Sequence, residues 1–477
     1  MNKIKVPHVF VLLTFVILAC ATLTYVVPSG SYSRETREVD GHERTLLVPG
    51  TYERMDKHFS IEGFFLGRQV DGEATPVGLY TFLTAIPRGL EARADIIFFI
   101  FFVGGVFGVL QRTKVIAAAI QRLLRRLGNA GPLLTIVLMI VLAIGGSTLG
   151  MGEEFIPLIP VFLLVSHRLG YDRIYGMGIV EIAAATGFAA STTNPFTVGV
   201  AQSIAEVPLY SGMGLRFIFL ACALALAIVH MLRYGARIKR DPGASLLADE
   251  PEPPLQLEAE EVAYRPHHTW IILSCIAIFG VIVYGMQQLG WWMADMAGGF
   301  FLMAIVAIIV ARLPLAEAVK AFVKGMEEMV VAALVVGWAY GIAIVMQDGK
   351  ILDSIVYGAA SVLQSVPRNV AAISMLGYES FLNFFIPSGS GQAAVSMPLM
   401  APLADILGIS RQTAVFAFTC GDGFSNTIIP TSGILMAMLG LARIPYGKWL
   451  RFMLPLFGQL MLLAAVFLTL AVFFNYR

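Results

Sequence analysis

Apolar runs long enough to cross a lipid bilayer recur along this chain, and several are broken in their middle by Gly, Pro, Ser, Thr and Asn. A backbone in lipid must satisfy its own amides and carbonyls, so only helices and closed barrels can span. The runs are apolar throughout and do not alternate, which selects helices over a barrel. Residues 9–27 (VFVLLTFVILACATLTYVV) and 452–474 (FMLPLFGQLMLLAAVFLTLAVFF) are the first and last of them. Each is near the roughly 20 residues that a bilayer requires. Composition agrees, with 57% of the 477 residues hydrophobic and 14% charged, against about a quarter charged in soluble chains. The chain reads as an all-α polytopic membrane protein.

Other classes find little footing. The first run is too long for the apolar core of a cleaved leader, and VVPSGSY is a poor cleavage sequence, so it reads as a retained helix. Cys20, Cys222, Cys275 and Cys420 sit in apolar segments without CxxC spacing, which suggests neither a disulfide framework nor a zinc site. A net charge of +1 gives no hint of nucleic acid. With no P-loop, GxSxG elbow or His/Cys cluster, no enzyme and no cofactor are expected.

Positive charge orients the spans. Lys3 and Lys5 place the N-terminus in the cytoplasm of a bacterial inner-membrane protein. A first helix (residues 1–27) then exports a polar, mixed-charge segment (28–93). Arg112, Lys114, Arg122, Arg125 and Arg126 surround an apolar stripe that should lie flat on the cytoplasmic surface. RYGARIKR (233–240) is a second basic anchor, followed by the acidic, Pro-rich DEPEPPLQLEAEE. For both anchors to be inside, the chain between them crosses an even number of times. Gly145, Gly146, Gly150, Gly152 and Pro157 interrupt two of the five intervening apolar segments. Parity is met by a re-entrant hairpin at 131–168 and a helix at 174–205 broken at STTNP. A first repeat thus covers 94–233, and a cytoplasmic linker covers 234–268.

The second half repeats the plan. GMGEEFIPLIPVFLLVSHRLGYDR (150–173) matches GSGQAAVSMPLMAPLADILGISR (389–411) in its GxG, paired prolines and LGxxR. Pro195 and Pro430 are each followed 21 residues later by an Arg-Phe pair, Arg216-Phe217 and Arg451-Phe452. Scaffold helices (269–311) lead into a second repeat (312–477), with a hairpin at 369–407 and a broken helix at 411–441. The intervening spans leave this copy inverted. Inverted repeats with discontinuous helices meeting at the midplane mark secondary transporters.

The four breaks carry the chemistry. Ser and Thr in membrane helices often bond only their own backbone or glue helices together. Four Gly/Ser/Thr/Asn loops in symmetric positions instead suit an ion shell and a polar substrate, and half-helix N-termini favour anions. The candidate Na⁺ ligands are Ser147, Thr148, Ser191, Thr192, Thr193, Ser425, Asn426 and Thr427. The candidate substrate contacts are Glu153, Glu154, Asn194, Ser388, Ser390, Gln392, Asp422, Asn426 and Thr431. Glu153 and Glu154 would point about 100° apart on a helix, so one is expected to meet ligand while the other accepts amides. For Glu181 and Glu379, which lie within apolar helices, function and plain pairing both stay open. No buried Lys or Arg is expected near the breaks, so a cationic or zwitterionic substrate fits better than a dianion.

GMGEE, GFAASTTNPFTVGVAQSIA, NFFIPSGSGQAAVSMPLMAPLAD and GDGFSNTIIPTS together resemble the YfcC family, grouped with C4-dicarboxylate anaerobic carriers, over nearly the whole chain. The resemblance implies the elevator-type fold of the ion transporter superfamily. It carries Ser425, Asn426 and Thr427 onto the Ser-Asn-Thr loop of divalent-anion:sodium symporters, whereas the first half has STTNP. It also implies a homodimer held by scaffold spans such as 269–311. The expected function is ion-coupled transport of a small charged metabolite, an amino acid above all, with a basic one moved by antiport among the candidates, and with Na⁺ or H⁺ as partner ion. The rival within transport is a C4-dicarboxylate or other organic anion. From another class, an ion channel would also place polar loops at the midplane.

Overall fold

The computed structural model describes residues 9–39, 42–68, 72–119, 122, 131–250, 264–291, 293–363 and 366–476. Lys3, Lys5, Arg125, Arg126 and linker residues 251–263 lie outside the described residues. The described chain is dominated by helices, and seven helical stretches in it are long and apolar enough to cross a membrane. The chain is a multi-pass membrane protein.

The helix α1 (Val9–Val26) is followed by four short strands, β1 (Ser29–Ser31), β2 (Arg34–Val39), β3 (His42–Leu47) and β4 (Glu53–Met55). They form two antiparallel pairs, β1 with β4 and β2 with β3. A purely helical reading misses these pairs. The signal was present in the Asp-Gly dipeptide between two extended runs, a common hairpin turn. Next come α2 (Ile61–Leu66), α3 (Leu79–Ala92) and α4 (Ala94–Arg112). The segment 28–93 therefore ends in a helix, α3, that packs against the later helix spanning Val330–Asp348.

The first half continues with α5 (Gly131–Leu149), a 3₁₀ turn (Glu153–Leu158), α6 (Ile159–Arg168) and α7 (Arg173–Ala189). A π turn (Pro195–Gly199) leads into α8 (Val200–Ile204), and α9 (Met213–Arg240) closes the half. The helices α10 (Pro266–Gln288), α11 (Met293–Ala311), α12 (Leu315–Glu328) and α13 (Val330–Asp348) follow. The second half comprises α14 (Leu352–Leu363), α15 (Arg368–Asn383), α16 (Gly389–Ile406), α17 (Arg411–Ser425), α18 (Gly433–Ala442) and α19 (Tyr446–Phe473).

One expected interruption does not occur: α5 runs unbroken through Gly145 and Gly146 and stops only at Leu149. Gly146 is there for contact. A Cβ on it would lie 2.4 Å from the Ala184 carbonyl oxygen, so its absence lets α5 and α7 touch backbone to backbone. The break itself falls at Gly150, whose φ of +70° only glycine adopts without strain.

The two halves pack alike. The arms α5 and α6 both lie against α7, as α15 and α16 lie against α17. The short helix α8 packs on α16, and its counterpart α18 packs on α6. The LGxxR motif explains why. Gly170 and Gly408 both take positive φ where a hairpin arm ends, and Asp172 and Ser410 cap the next helix through Tyr175 N and Thr413 N. The arginine then reaches across to the other half. Arg173 donates to the carbonyls of Ala442 and Arg443 at 3.0 and 2.6 Å, at the C-terminal end of α18. Arg411 donates to the Ala205 carbonyl at 3.0 Å, at the end of α8. Each half thus caps the broken helix of the other with a cation, where the helix dipole is negative.

Contacts sort the helix ends into two groups. At one end Arg112 pairs with Glu317, Lys448 with Asp249, and Arg173 with the end of α18. At the opposite end Ser29 donates to the Gly349 carbonyl, Arg34 grips Asp353 through both nitrogens, and Tyr476 donates to the Gly212 carbonyl. The β2–β3 pair touches α8 and α16 at this second end.

Replacing either arginine, as Arg173→Met or Arg411→Met, should lower unfolding stability in detergent by about 1 kcal/mol. That is below the ~1.5–3 kcal/mol of a buried charged hydrogen bond, because both side chains are partly exposed. Thermal unfolding of the purified variants checks this, and unchanged midpoints for both would contradict the capping role.

Candidate functional site

All four breaks border one cavity of about 210 Å³. The first contributes residues 150–154, and Phe188 and Phe196 flank the second. The third contributes residues 387–390, and the fourth contributes Gly423, Asn426 and residues 431–433. The remaining wall includes Arg93 at the α3–α4 junction, Glu181 on α7, Met293 and Met296 on α11, and Tyr340 on α13.

The first break is shaped by its glycines. Gly150 lies so close to Asn194 that a Cβ would meet its Oδ1 at 2.4 Å. Asn194 itself accepts the Phe196 amide at 2.9 Å and caps the π turn. Gly152 then starts the 3₁₀ turn and donates its amide to Glu154 Oε2 at 2.9 Å. Glu153 and Glu154 both line the cavity, although only one was expected to face ligand. Their place at the start of a turn lets each carboxyl reach free amides.

Of the other expected substrate contacts, Ser388, Ser390, Asn426 and Thr431 line the same cavity. The Thr431 hydroxyl is buried there without a protein partner. Ser388 caps α16 by accepting the Gly391 amide. Gln392 lies elsewhere: it is fully buried and donates to Glu379 Oε2 at 2.6 Å. Asp422 sits just behind the cavity wall, where a Cβ on Gly389 would lie 3.3 Å from its Oδ2.

The expected ion ligands form two clusters beside the cavity. In the first half, Ser147 Oγ meets Thr192 Oγ1 at 3.1 Å and the Ala190 carbonyl at 3.1 Å. Thr193 donates to the Thr148 carbonyl, Thr148 to that of Ile144, and Ser191 bonds Thr197 and the Phe188 carbonyl. These hydroxyls tie the STTNP loop to the end of α5. In the second half, Asn383 at the end of α15 does the same work. Its Nδ2 donates to the Asp422 carbonyl at 2.8 Å, Ser425 Oγ at 2.8 Å and Asn426 Oδ1 at 3.0 Å. Thr427 donates to the Phe424 carbonyl, and its own carbonyl accepts from Trp449.

Two arginines near the breaks bear on the expectation that none is buried there: Arg216 is buried and Arg93 half-buried. Arg216, 1% exposed at the start of α9, donates to the Ser191 carbonyl at 3.2 Å and to the Tyr476 hydroxyl at 3.1 Å. It thereby supplies positive charge where α7 ends. Arg93 lines the cavity with its guanidinium 4.2 Å from the Tyr340 ring centre. Sequence position hid it, because Arg93 belongs to a helix junction far from the repeated motifs. The cavity lining carries three carboxyl groups, Glu153, Glu154 and Glu181, against this single guanidinium.

Residues 6–473 match the family model DcuC, the C4-dicarboxylate anaerobic carrier. A protein of Escherichia coli (strain K12) named "Putative basic amino acid antiporter YfcC" is 33% identical over 482 residues, covering 96% of this chain and 95% of that one. An uncharacterized protein of Haemophilus influenzae is 28% identical over 511 residues, covering 98% and 97%. Among solved structures, the YdaH transporter of Alcanivorax borkumensis aligns with a TM-score of 0.45 at 17% identity, covering 98% of this chain and 99% of that chain.

The Asn383 amide positions the second-half loop, so Asn383→Ala should cost about 1–3 kcal/mol by leaving buried acceptors unpaired. Thermal unfolding should show a clear drop for this variant. A midpoint equal to that of the parent would mean that the amide bonds do not hold the loop.

Proposed function

The chain belongs to the C4-dicarboxylate anaerobic carrier family, and on that premise we propose that it is an ion-coupled secondary transporter of a small zwitterionic or cationic metabolite, with a basic amino acid first among candidates. The charge of the cavity carries this reading. A single guanidinium, Arg93, can take one carboxylate, and three carboxyl groups can take ammonium or guanidinium groups. An amino acid with a basic side chain offers one of the former and two of the latter. A C4-dicarboxylate, the rival reading, would bring two negative charges to a lining with one cation.

The movement we infer is of the elevator type, between inverted repeats. Several features support it: like packing of the two hairpins on α7 and α17, the reciprocal Arg173 and Arg411 caps, and the placement of those caps at opposite ends of the molecule. On this reading α5–α8 and α15–α18 travel together, and α10–α13 form the frame. The end bearing Arg112, Arg168, Arg237, Lys239, Arg240 and Lys448 is the cytoplasmic one by its positive charge.

Substrate affinity is the test, with purified protein and lysine, arginine and succinate as probes. Glu153→Gln and Glu154→Gln should each weaken lysine binding by about tenfold, near 1.4 kcal/mol, and the double variant by more. Arg93→Gln should weaken lysine and succinate alike. If both single variants and the double variant bind lysine with unchanged affinity and pH dependence, the assignment fails. Binding of succinate without lysine would select the dicarboxylate reading instead.

A further inference from the structure

A second polar cluster lies behind the tip of the second hairpin and takes no part in lining the cavity. Glu379 and Asn383 occupy one face of α15 a helical turn apart, opposite Gln392 and Ser396 on α16 and Asp422 on α17. All five are fully buried. Gln392 Nε2 donates to Glu379 Oε2 at 2.6 Å and to the Glu379 carbonyl at 2.9 Å. The atoms left without partners are nearly all acceptors. They are Glu379 Oε1, Gln392 Oε1, Asn383 Oδ1 and both carboxylate oxygens of Asp422, and the nearby donors are few, the Ser396 hydroxyl beside Glu379 and the Asn426 amide beside Asp422. A buried site short of donors is completed by something positive.

Among the described residues, no protein cation supplies that charge. The elements packed on α15 are α14, α16, α17 and α19. The titratable groups facing Glu379 are Asp422 on α17 and the neighbouring Tyr378 hydroxyl. On α16 the charged residue is Asp405, held by Arg411 at the far end. On α14, Asp353 is taken by Arg34. On α19, Lys448 and Arg451 lie in the first turns, Lys448 paired with Asp249 and Arg451 exposed.

The close fit of α15 and α17 decides what the positive species is. A Cβ on Gly421 would lie 2.6 Å from Glu379 Cβ, so the helices are in contact where the two carboxyl groups approach. A metal cation needs several free oxygens converging on room for an ion, and here Glu379 Oε2 is already taken by the Gln392 amide at 2.6 Å. A proton needs one lone pair and no room. Asp422 in turn lies against Gly389 of the cavity wall, which gives the pair a route to water.

We propose that Glu379 and Asp422 hold one transported proton between them, taken from water on one side of the membrane and returned on the other, and that this proton couples the transport cycle. The inference rests on the transport reading above and adds the identity of the coupling ion. The step is a transfer of one proton between water and a carboxylate oxygen, with no change of oxidation state.

Proteoliposomes containing the full chain, held at zero membrane potential and supplied from outside with radiolabelled lysine or succinate, test it. In the parent protein a pH gradient should drive accumulation, up to about tenfold per pH unit at one proton per substrate. Glu379→Gln should keep substrate-for-substrate counterflow and lose the response to the gradient. Glu379→Asp, which keeps the acid, should retain it. Glu379→Met is the second neutral variant should the glutamine form not fold. A neutral variant driven by the pH gradient as well as the parent overturns the proposal. So does a parent that exchanges substrate and follows a Na⁺ gradient but no pH gradient. Absence of counterflow in the parent for both probes overturns the transport reading itself, and the proton with it.

Discussion

A helix that stops inside a bilayer leaves up to four carbonyls or amides without partners, and lipid offers none. Every distinctive feature of this fold answers that constraint. Where α7 ends, Arg216 takes the Ser191 carbonyl, and the Ser147 and Thr192 hydroxyls hold the loop. Where α8 and α18 end, an arginine from the opposite half reaches over. At the starts of α16 and α18, Ser388 and Ser432 accept amides. Ser388 and Ser432 cap their own helices, whereas the caps at the ends of α7, α8 and α18 come from other elements, so those ends depend on the packing around them. The cavity is the space that the meeting of the breaks leaves.

The charge of that cavity follows from the same physics. A glutamate at the start of a turn gains about 0.3–1 kcal/mol from free amides when exposed and more when partly buried. That is less than the roughly 2.5–3.5 kcal/mol cost of inserting a carboxylate at the bilayer centre. Glu153 and Glu154 are therefore held by the polar cavity as a whole, with Glu154 lending one oxygen to the Gly152 amide. The corresponding place after the second GxG is filled by Gln392, which turns away to Glu379. The acid that lines the cavity in one half is thus matched in the other by an acid buried among the helices. We read this as the division of labour between substrate and coupling ion.

Much of this was legible in the residues. Glycine, proline and small polar side chains inside apolar runs located every break, and the repeated LGxxR marked the two equivalent corners. What the motif's arginine does was not legible, because its acceptors, the carbonyls of Ala442 and Ala205, lie in the other half of the chain. Gly145 and Gly146 misled for a related reason: a glycine that permits close packing is written like one that ends a helix, and only the Ala184 carbonyl beside it distinguishes them. Arg93 and Asn383 were missed because neither belongs to a repeated motif. Each acquires its place from tertiary packing, Arg93 against Tyr340 and Asn383 against Asp422, Ser425 and Asn426.

The central claim, that two hairpins enter from opposite faces and meet at one site, is tested most directly by where their outer corners lie. Gly170 and Gly408 end equivalent hairpin arms, and cysteines placed beside them can be labelled from either side with a membrane-impermeant thiol reagent. The account predicts that the position beside Gly408 reacts from outside intact cells, while the position beside Gly170 reacts only after the membrane is opened. Labelling of both from the same side would contradict it.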